Sequence, residues 1–301
     1  MTNGAEELDD ILDPIGEVPI DGPPLSELLP KGYLSVSQAT LFIKCAHQWY
    51  LKYVERGAIR VKRRMIEGSN VHAAVEKILT DKKETGKVPA LDVALDAFST
   101  AFEQSKATID DWEGVNQGEA KDNGVKLTRL YFYEGAPKAT PLQVEEDFRV
   151  DLTLTDGEKL PIVGRIDSVQ VQLDRPEIEY DPKAPQLQKL PRRVHDLKVT
   201  TNKWGPDKLK NDLQFHVYAH VTGVPDVQVD QRVKGRAQVP RPHYAVDKYP
   251  VTPHDTKHAV NVLEGVAKSI TRGNFPLTDP SSWWCSEDWC PMWASCRGRN
   301  K

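Results

Sequence analysis

The sequence predicts an α/β or α+β core with helical additions at the N-terminus and a cysteine-bearing C-terminal subdomain. Three observations carry that prediction. Apolar residues recur at helical spacing from Ser35 to about residue 133, the period falls to two at Leu142, and strand-like and helix-like segments then alternate up to Gly273. The first thirty residues stand apart. They hold eight acids, no Lys or Arg, and five prolines (Pro14, Pro19, Pro23, Pro24, Pro30), a mixture that gains little from burial, so residues 1–32 read as an acidic disordered arm.

The first helix follows Ser35-Val-Ser37, with Ser37 as its N-cap and Leu41, Cys45 and Trp49 on one face, which turns Cys45 inward. A basic run (Arg56, Arg60, Lys62, Arg63, Arg64) precedes Gly68-Ser69, where a second helix opens with Val71, Val75, Ile78 and Leu79 as its stripe and His72 at the edge of it. Residues 91–133 continue as helix, Leu91, Leu95, Phe98 and Phe102 supplying the apolar spacing, with a polar break around 114–124; the stretch of about 85–135 reads as a helical insertion. From Leu142 to Leu154 alternate residues share one face, and Glu146 is its one acid. Asp156-Gly157 supplies hairpin chemistry before a second strand, about 161–173. A charged, Pro-rich excursion leads to a third strand, Val194–Thr200. The next helix aligns Leu209, Leu213, Val217 and Val221 and ends near Gly223. Strands at 227–233 and 243–246 precede a last helix, capped by Thr252-Pro253 and stopped at Gly273.

The 301 residues (33.9 kDa) carry a formal charge of −4, but with eight acids in the arm the remainder carries +4, so the average hides a body able to meet a polyanion. No apolar run is long enough to span a membrane and no secretory signal opens the chain, so a cytoplasmic protein without a membrane partner is expected. Four cysteines in such a compartment suit ligation or free thiols better than disulfides.

Chemistry concentrates on the third strand. Asp196 and Lys198 share one face, and His195, Leu197 and Val199 the other. Burying a carboxylate beside an ammonium is costly unless they pair or serve a ligand. Asp167, in Val163-Gly-Arg-Ile-Asp167, ends a similar apolar run on the neighbouring strand. Antiparallel pairing would bring the two acids to one point, as a hard divalent cation requires.

Asp followed by Asp-x-Lys on the next strand resembles the PD-(D/E)xK nuclease superfamily. The order of the other elements is similar to its RecB-like branch: His72 after Gly68, Gln214 and Tyr218 at i, i+4 after Asp-x-Lys, and Gly-Asn-Phe-Pro (273–276) before a cysteine triplet. The resemblance covers residues 34–298. It implies an α/β, restriction-endonuclease-like core (about 33–276), a mixed central sheet flanked by helices, in which His72, Asp167, Asp196 and the backbone carbonyl of Leu197 hold Mg²⁺ or Mn²⁺, with Glu146 a further candidate and Glu76 a weaker one. Lys198 would assist catalysis, and Gln214 and Tyr218 would position strand or water.

Cys285, Cys290 and Cys296 are close in sequence and Cys45 is remote, an arrangement unlike paired zinc motifs. It resembles the four-cysteine iron–sulfur nucleases of that branch, the AddB-type recombination nucleases, CRISPR-adaptation nucleases and phage relatives, and implies a 4Fe-4S cluster closing residues 277–301 onto Cys45. Four residues separate Cys285 from Cys290 where that family has two, and Ala46 stands where many relatives have Pro; a Cys₄ zinc site and unligated thiols are the alternatives. Trp283, Trp284, Trp289 and Trp293 are placed to shield such a cluster.

The function implied is a metal-dependent deoxyribonuclease, an exonuclease on single-stranded DNA or DNA ends, in recombination, repair or phage DNA processing. The basic run would contact the DNA backbone. No phosphate-binding Gly-x₄-Gly-Lys loop is present, so no nucleotide cofactor is expected and any helicase would be a separate partner, as would a recombination protein. The alternative is a non-catalytic DNA-binding or recombination accessory protein on the same fold.

Overall fold

A computed structural model describes residues 23–173, 180–235 and 241–297. In chain order its elements are α1 (Leu25–Leu28), β1 (Leu34–Ser35), α2 (Val36–Lys44), α3 (Ala46–Tyr53), α4 (Arg63–Thr85), α5 (Leu91–Ser105), α6 (Gln117–Glu134), β2 (Pro141–Thr153), β3 (Lys159–Val171), β4 (Arg192–Thr200), α7 (Pro206–Lys210), α8 (Leu213–Thr222), β5 (Asp226–Val233), β6 (His243–Pro250), α9 (Pro253–Thr271) and α10 (Trp293–Cys296). Among the described residues, no helix is long and apolar enough to cross a membrane.

The sheet is mixed, as the family resemblance implies. β2 pairs antiparallel with β3 along almost its whole length, β3 antiparallel with β4, β4 parallel with β5, and β5 antiparallel with β6. Helices cover both faces. Leu197 and Val144 pack with Val75, Ile78, Leu79 and Tyr131 from α4 and α6, while Val169, Val194 and Val229 pack with Phe215 and Tyr218 of α8.

One irregularity of this sheet creates the site. The β3–β4 pairing runs only from Val171↔Arg192 to Ser168↔His195, and β1 takes over the same edge of β3 at Ile162 and Val163. Residues 164–167 of β3 therefore face a fork with no strand partner, at the level where β4 carries Asp196 and Lys198.

Several local expectations shift. Ser35, not Ser37, caps α2, its side chain accepting from the Gln38 amide. The helix through Cys45 is two helices, because Cys45 is extended (φ −163°, ψ 104°), ends α2 and caps α3 with its Sγ. α4 begins at Arg63, five residues before Gly68, and the break between α5 and α6 lies earlier than expected. Leu209 belongs to α7, separated from α8 by Asp212, which caps α8. Within the span expected to be the arm, Leu25 and Leu29 are buried among residues of α9 and β3; residues 1–22, with seven of its eight acids, lie outside the described residues, as does the 174–179 part of the charged excursion.

Candidate active site

The fork gathers side chains from three directions. From α4, His72 reaches in with Nε2 2.5 Å from the Leu197 carbonyl and Nδ1 3.7 Å from Asp167 Oδ2. From β3, Asp167 Oδ2 accepts the Leu197 amide at 2.7 Å, which fixes the carboxylate where the strands part. From α8, Gln214 donates from Nε2 to Asp196 Oδ1 (3.0 Å) and to the Tyr218 hydroxyl (2.7 Å), and Tyr218 donates to the Arg165 carbonyl (2.6 Å). Lys198 Nζ lies 2.7 Å from Asp196 Oδ2 and donates to Gln214 Oε1 at 3.2 Å. Asp167, Asp196, Lys198, Gln214, Tyr218 and His72 thus form one constellation, with the Leu197 carbonyl beside it.

The acid that completes it is Glu145, not Glu146. Ligand atoms of His72, Glu145 and Asp167 lie within 4.8 Å of one another, while Glu146 is exposed and its carboxylate is 3.9 Å from Lys83. The reason is register: Val144↔Ser168 and Glu146↔Ile166 leave Glu145 opposite Asp167, and Glu145 adopts φ +50° there. The sequence held the signal, because Glu145 and Asp167 are equidistant from Asp156 at the hairpin turn; the alternation counted from Leu142 obscured it, since the strand changes face at the left-handed Glu145, Val144 packing toward α4 and α6 and Phe148 toward α8.

Electrostatics sharpen the assignment. Burial lifts the Asp196 carboxyl to about 6 against the pull of Lys198, with Asp167 adding to the rise. Asp167 is also raised, chiefly by burial. Burial, then Asp167 and Glu76, lift Glu145 to about 7. His72 is pushed down to about 4 by burial and by the charge of Arg232, so it is a neutral imidazole at pH 7. Burial works against the Lys198 ammonium, but Asp196 and Asp167 outweigh it and hold its pKa above the ordinary lysine value. Asp196 is fully buried, and its Oδ2 is paired with the Lys198 ammonium at 2.7 Å. Clustered acids that resist ionisation without a counter-charge, a neutral imidazole and a backbone carbonyl beside them are a donor set that fits a divalent cation. Sequence reasoning missed Arg232, a fully buried guanidinium on β5.

Gly164 maintains the far wall. The Phe148 ring lies across it, so an added Cβ would fall 2.5 Å from Phe148 Cζ, and Phe148 packs edge-on against Tyr218 (6.1 Å between centroids). Gly164→Ala is expected to cost about 1–3 kcal/mol through overpacking, measured as a lower urea midpoint; an unchanged midpoint would mean the ring is free to move.

The basic run is largely committed within the protein. Lys62 is buried and donates to the carbonyls of Glu287 (3.2 Å) and Asp288 (2.6 Å). Arg63 pairs with Glu67 at 2.8 Å. Arg64 pairs with Glu113 at 2.6 Å, donates to the Asp288 carbonyl and lies 4.1 Å from the Trp289 ring centroid. Arg60 pairs with Asp111 but stays half-exposed, and Arg56 is exposed. The run therefore ties the start of α4 to the loop between Cys285 and Cys290.

Cys45, Cys285, Cys290 and Cys296 line one cavity, with Leu51, Trp284, Met292 and Trp293 among its walls. Burial and the three other thiols raise the Cys290 thiol. Among the described residues, His72, Glu145 and Asp167 are the only metal-ligand set within 4.8 Å of one another, so no three of the sulfurs lie that close together. Trp284 and Trp293 wall the cavity, whereas Trp283 and Trp289 are exposed, at 63% and 46%.

Residues 33–297 match the family described as the PD-(D/E)XK nuclease superfamily. Among solved structures, the chain is similar to a Eubacterium rectale protein provisionally described as an exonuclease (15% identity over 86% of this chain and 89% of that one, TM-score 0.49) and to Candida albicans Rai1, solved with pU5 and Mn²⁺ (10% identity, 85% and 81%, TM-score 0.27). No curated protein matches the chain significantly.

Proposed function

The chain belongs to the PD-(D/E)XK nuclease superfamily, and on that premise we propose that it is a divalent-metal-dependent deoxyribonuclease acting exonucleolytically on single-stranded DNA or DNA ends. The observation that carries this reading is the fork, where Asp167, Asp196, Glu145, His72 and the Leu197 carbonyl converge beside an ammonium, Lys198. Those five would hold Mg²⁺ or Mn²⁺. When bound, the ion polarises phosphoryl oxygens and acidifies water.

The chain's own residues do the rest. Lys198 stays protonated at neutral pH, so it acts as a fixed positive charge toward the developing negative charge on phosphate rather than as a base. Gln214, bonded to Asp196, Lys198 and Tyr218, holds acid and ammonium in register, and Tyr218 anchors that amide to the β3 backbone. The four thiols are proposed to bind a 4Fe-4S cluster, supported by their convergence on one partly apolar cavity.

End-labelled single-stranded DNA incubated with Mn²⁺, Mg²⁺ or EDTA tests the enzyme. Wild type should shorten the strand only with metal, and Lys198→Ala should not; equal background in every lane defeats the reading.

Glu145 gives a second test. Its folded carboxyl pKa, about 7, lies above its ordinary value of 4.5, so the folded state prefers the protonated acid. The associated stability is present below about pH 4.5 and is lost as pH rises through about 7. In EDTA, Glu145→Gln should therefore match wild type at pH 5 and exceed it at pH 8 in melting temperature, while needing about 10- to 100-fold more metal for half-maximal cleavage. A difference independent of pH would remove Glu145 from the site.

A further inference from the structure

Beyond α6, the sheet face that carries His195 and Leu197 is open, and a cavity of about 530 Å³ lies on it, a volume that suits a nucleotide-sized ligand. Lys138, Arg193 and Lys248 line it, and the one carboxylate among its lining residues is Asp230. That acid is already committed: fully buried, it faces His195 Nδ1 at 3.1 Å and accepts from Gln228 Nε2 at 2.7 Å. The cations are not. Lys138 and Lys248 are exposed and make no ion pair among the described residues, and Arg193 gives one bond, from Nη2 to Gln172 Oε1. Behind the wall formed by Tyr131, Asp230 and Tyr244 lies Arg232, fully buried with none of its three guanidinium nitrogens hydrogen-bonded, its Cζ 5.6 Å from the Tyr131 ring centroid. With Asp230 committed within the protein and facing Arg232 as well, the three cations that line the cavity are short of an anion.

We propose that this cavity is a second anion site, separate from the metal-binding fork, that takes a phosphate group of nucleic-acid type. The identity of the donor rests on the nuclease reading: it is either the backbone of the strand being degraded or the released nucleotide. The site shares its strands with the fork. Arg193 precedes Asp196 by three residues on β4, and Gln170 follows Asp167 by three on β3, a distance of about 10 Å along a strand. Lys and Arg recognise phosphate through charge and directed donors, so occupancy should weaken with salt.

The test uses the full chain in EDTA, with calorimetric titration of inorganic phosphate, deoxyadenosine monophosphate and a 5′-phosphorylated oligothymidylate. Wild type should bind phosphate with a dissociation constant near about 1 mM, and the double variant Lys138→Ala/Lys248→Ala should bind about tenfold more weakly at the wild-type melting temperature; both side chains are exposed, and Arg193→Ala provides an independent check. Oligonucleotide affinity that falls in the double variant and is competed by phosphate assigns the site to the backbone. Tight mononucleotide binding without that competition assigns it to the product. Absence of phosphate binding by wild type, or unchanged affinity in the double variant and in Arg193→Ala, overturns the proposal. Cleavage by wild type alongside unchanged ligand affinity in the variants removes only the subsite. Loss of phosphate binding in the variants of a chain that never cleaves removes only the nuclease.

Discussion

Asp196→Asn is expected to lower cleavage of single-stranded DNA by at least about 10³-fold while the protein remains folded. The substitution keeps the shape of a fully buried side chain but removes the charge on which three other groups depend. Asp196 Oδ1 accepts from Gln214 and Oδ2 lies 2.7 Å from Lys198; an amide has one acceptor oxygen, so one of these relations is lost at a cost of about 1–3 kcal/mol. Lys198 keeps Asp167 and Asp212 nearby, so its charge is not stranded. A metal, by contrast, loses a carboxylate that a neutral amide replaces poorly. The measurement pairs kcat at saturating Mn²⁺ with urea unfolding. Activity within tenfold of wild type in a folded variant would show that Asp196 is structural. Lys198→Met separates the roles further: it should also abolish cleavage but leave two buried acids unbalanced, so its stability loss in EDTA should grow as pH rises through about 6, where Asp196 ionises in the wild type.

Much of this site was legible because its members follow local rules. Asp196 and Lys198 share a face by strand alternation, Gln214 and Tyr218 by the helical repeat, and Asp167 closes an apolar strand beside them. What escaped depends on relations between distant segments. Glu145 was hidden by its own left-handed backbone, where β2 changes face, which strict alternation along one strand cannot reveal. Cys45 lies on the right helical stripe, yet the chain breaks there, because its sulfur caps α3. The basic run reads as a solvent-facing stretch until partners more than two hundred residues away, Glu287 and Asp288, absorb Lys62. Arg232 follows a glutamine on β5 and looks like an outward polar residue, although the helices over that face bury it completely. Each miss is a case in which tertiary pairing, not local pattern, decides what a side chain meets.

Cys45→Ala is expected to remove most of the bound iron and labile sulfide and to lower global stability by about 2–5 kcal/mol, the range seen when a long-range cross-link is lost. The argument begins with how little else holds the C-terminal segment. Among its described residues, 277–297, Met292 is the only fully buried apolar side chain, and its regular structure is the four-residue α10, far too little hydrophobic burial to order the segment. Its remaining ties are few, Lys62 and Arg64 to the 287–288 backbone, Arg64 over the Trp289 ring and the Arg60 amide to the Pro291 carbonyl, and these cannot offset the entropy of ordering. Just before the segment, Phe275 stacks on Trp49 (5.7 Å, 11°) and Pro276 accepts the His47 amide. These contacts hold α3 to the end of the core without any ligand. Loss of Cys45 should therefore open residues 277–297 and leave the core closed. Limited proteolysis of the variant should cut within 277–297 and spare residues 33–276, while visible absorption disappears. An anaerobic wild-type preparation that is colourless and holds zinc alone would replace the cluster with a zinc site, and a Cys45→Ala variant with undiminished iron would show that the α2–α3 break is not part of the metal centre.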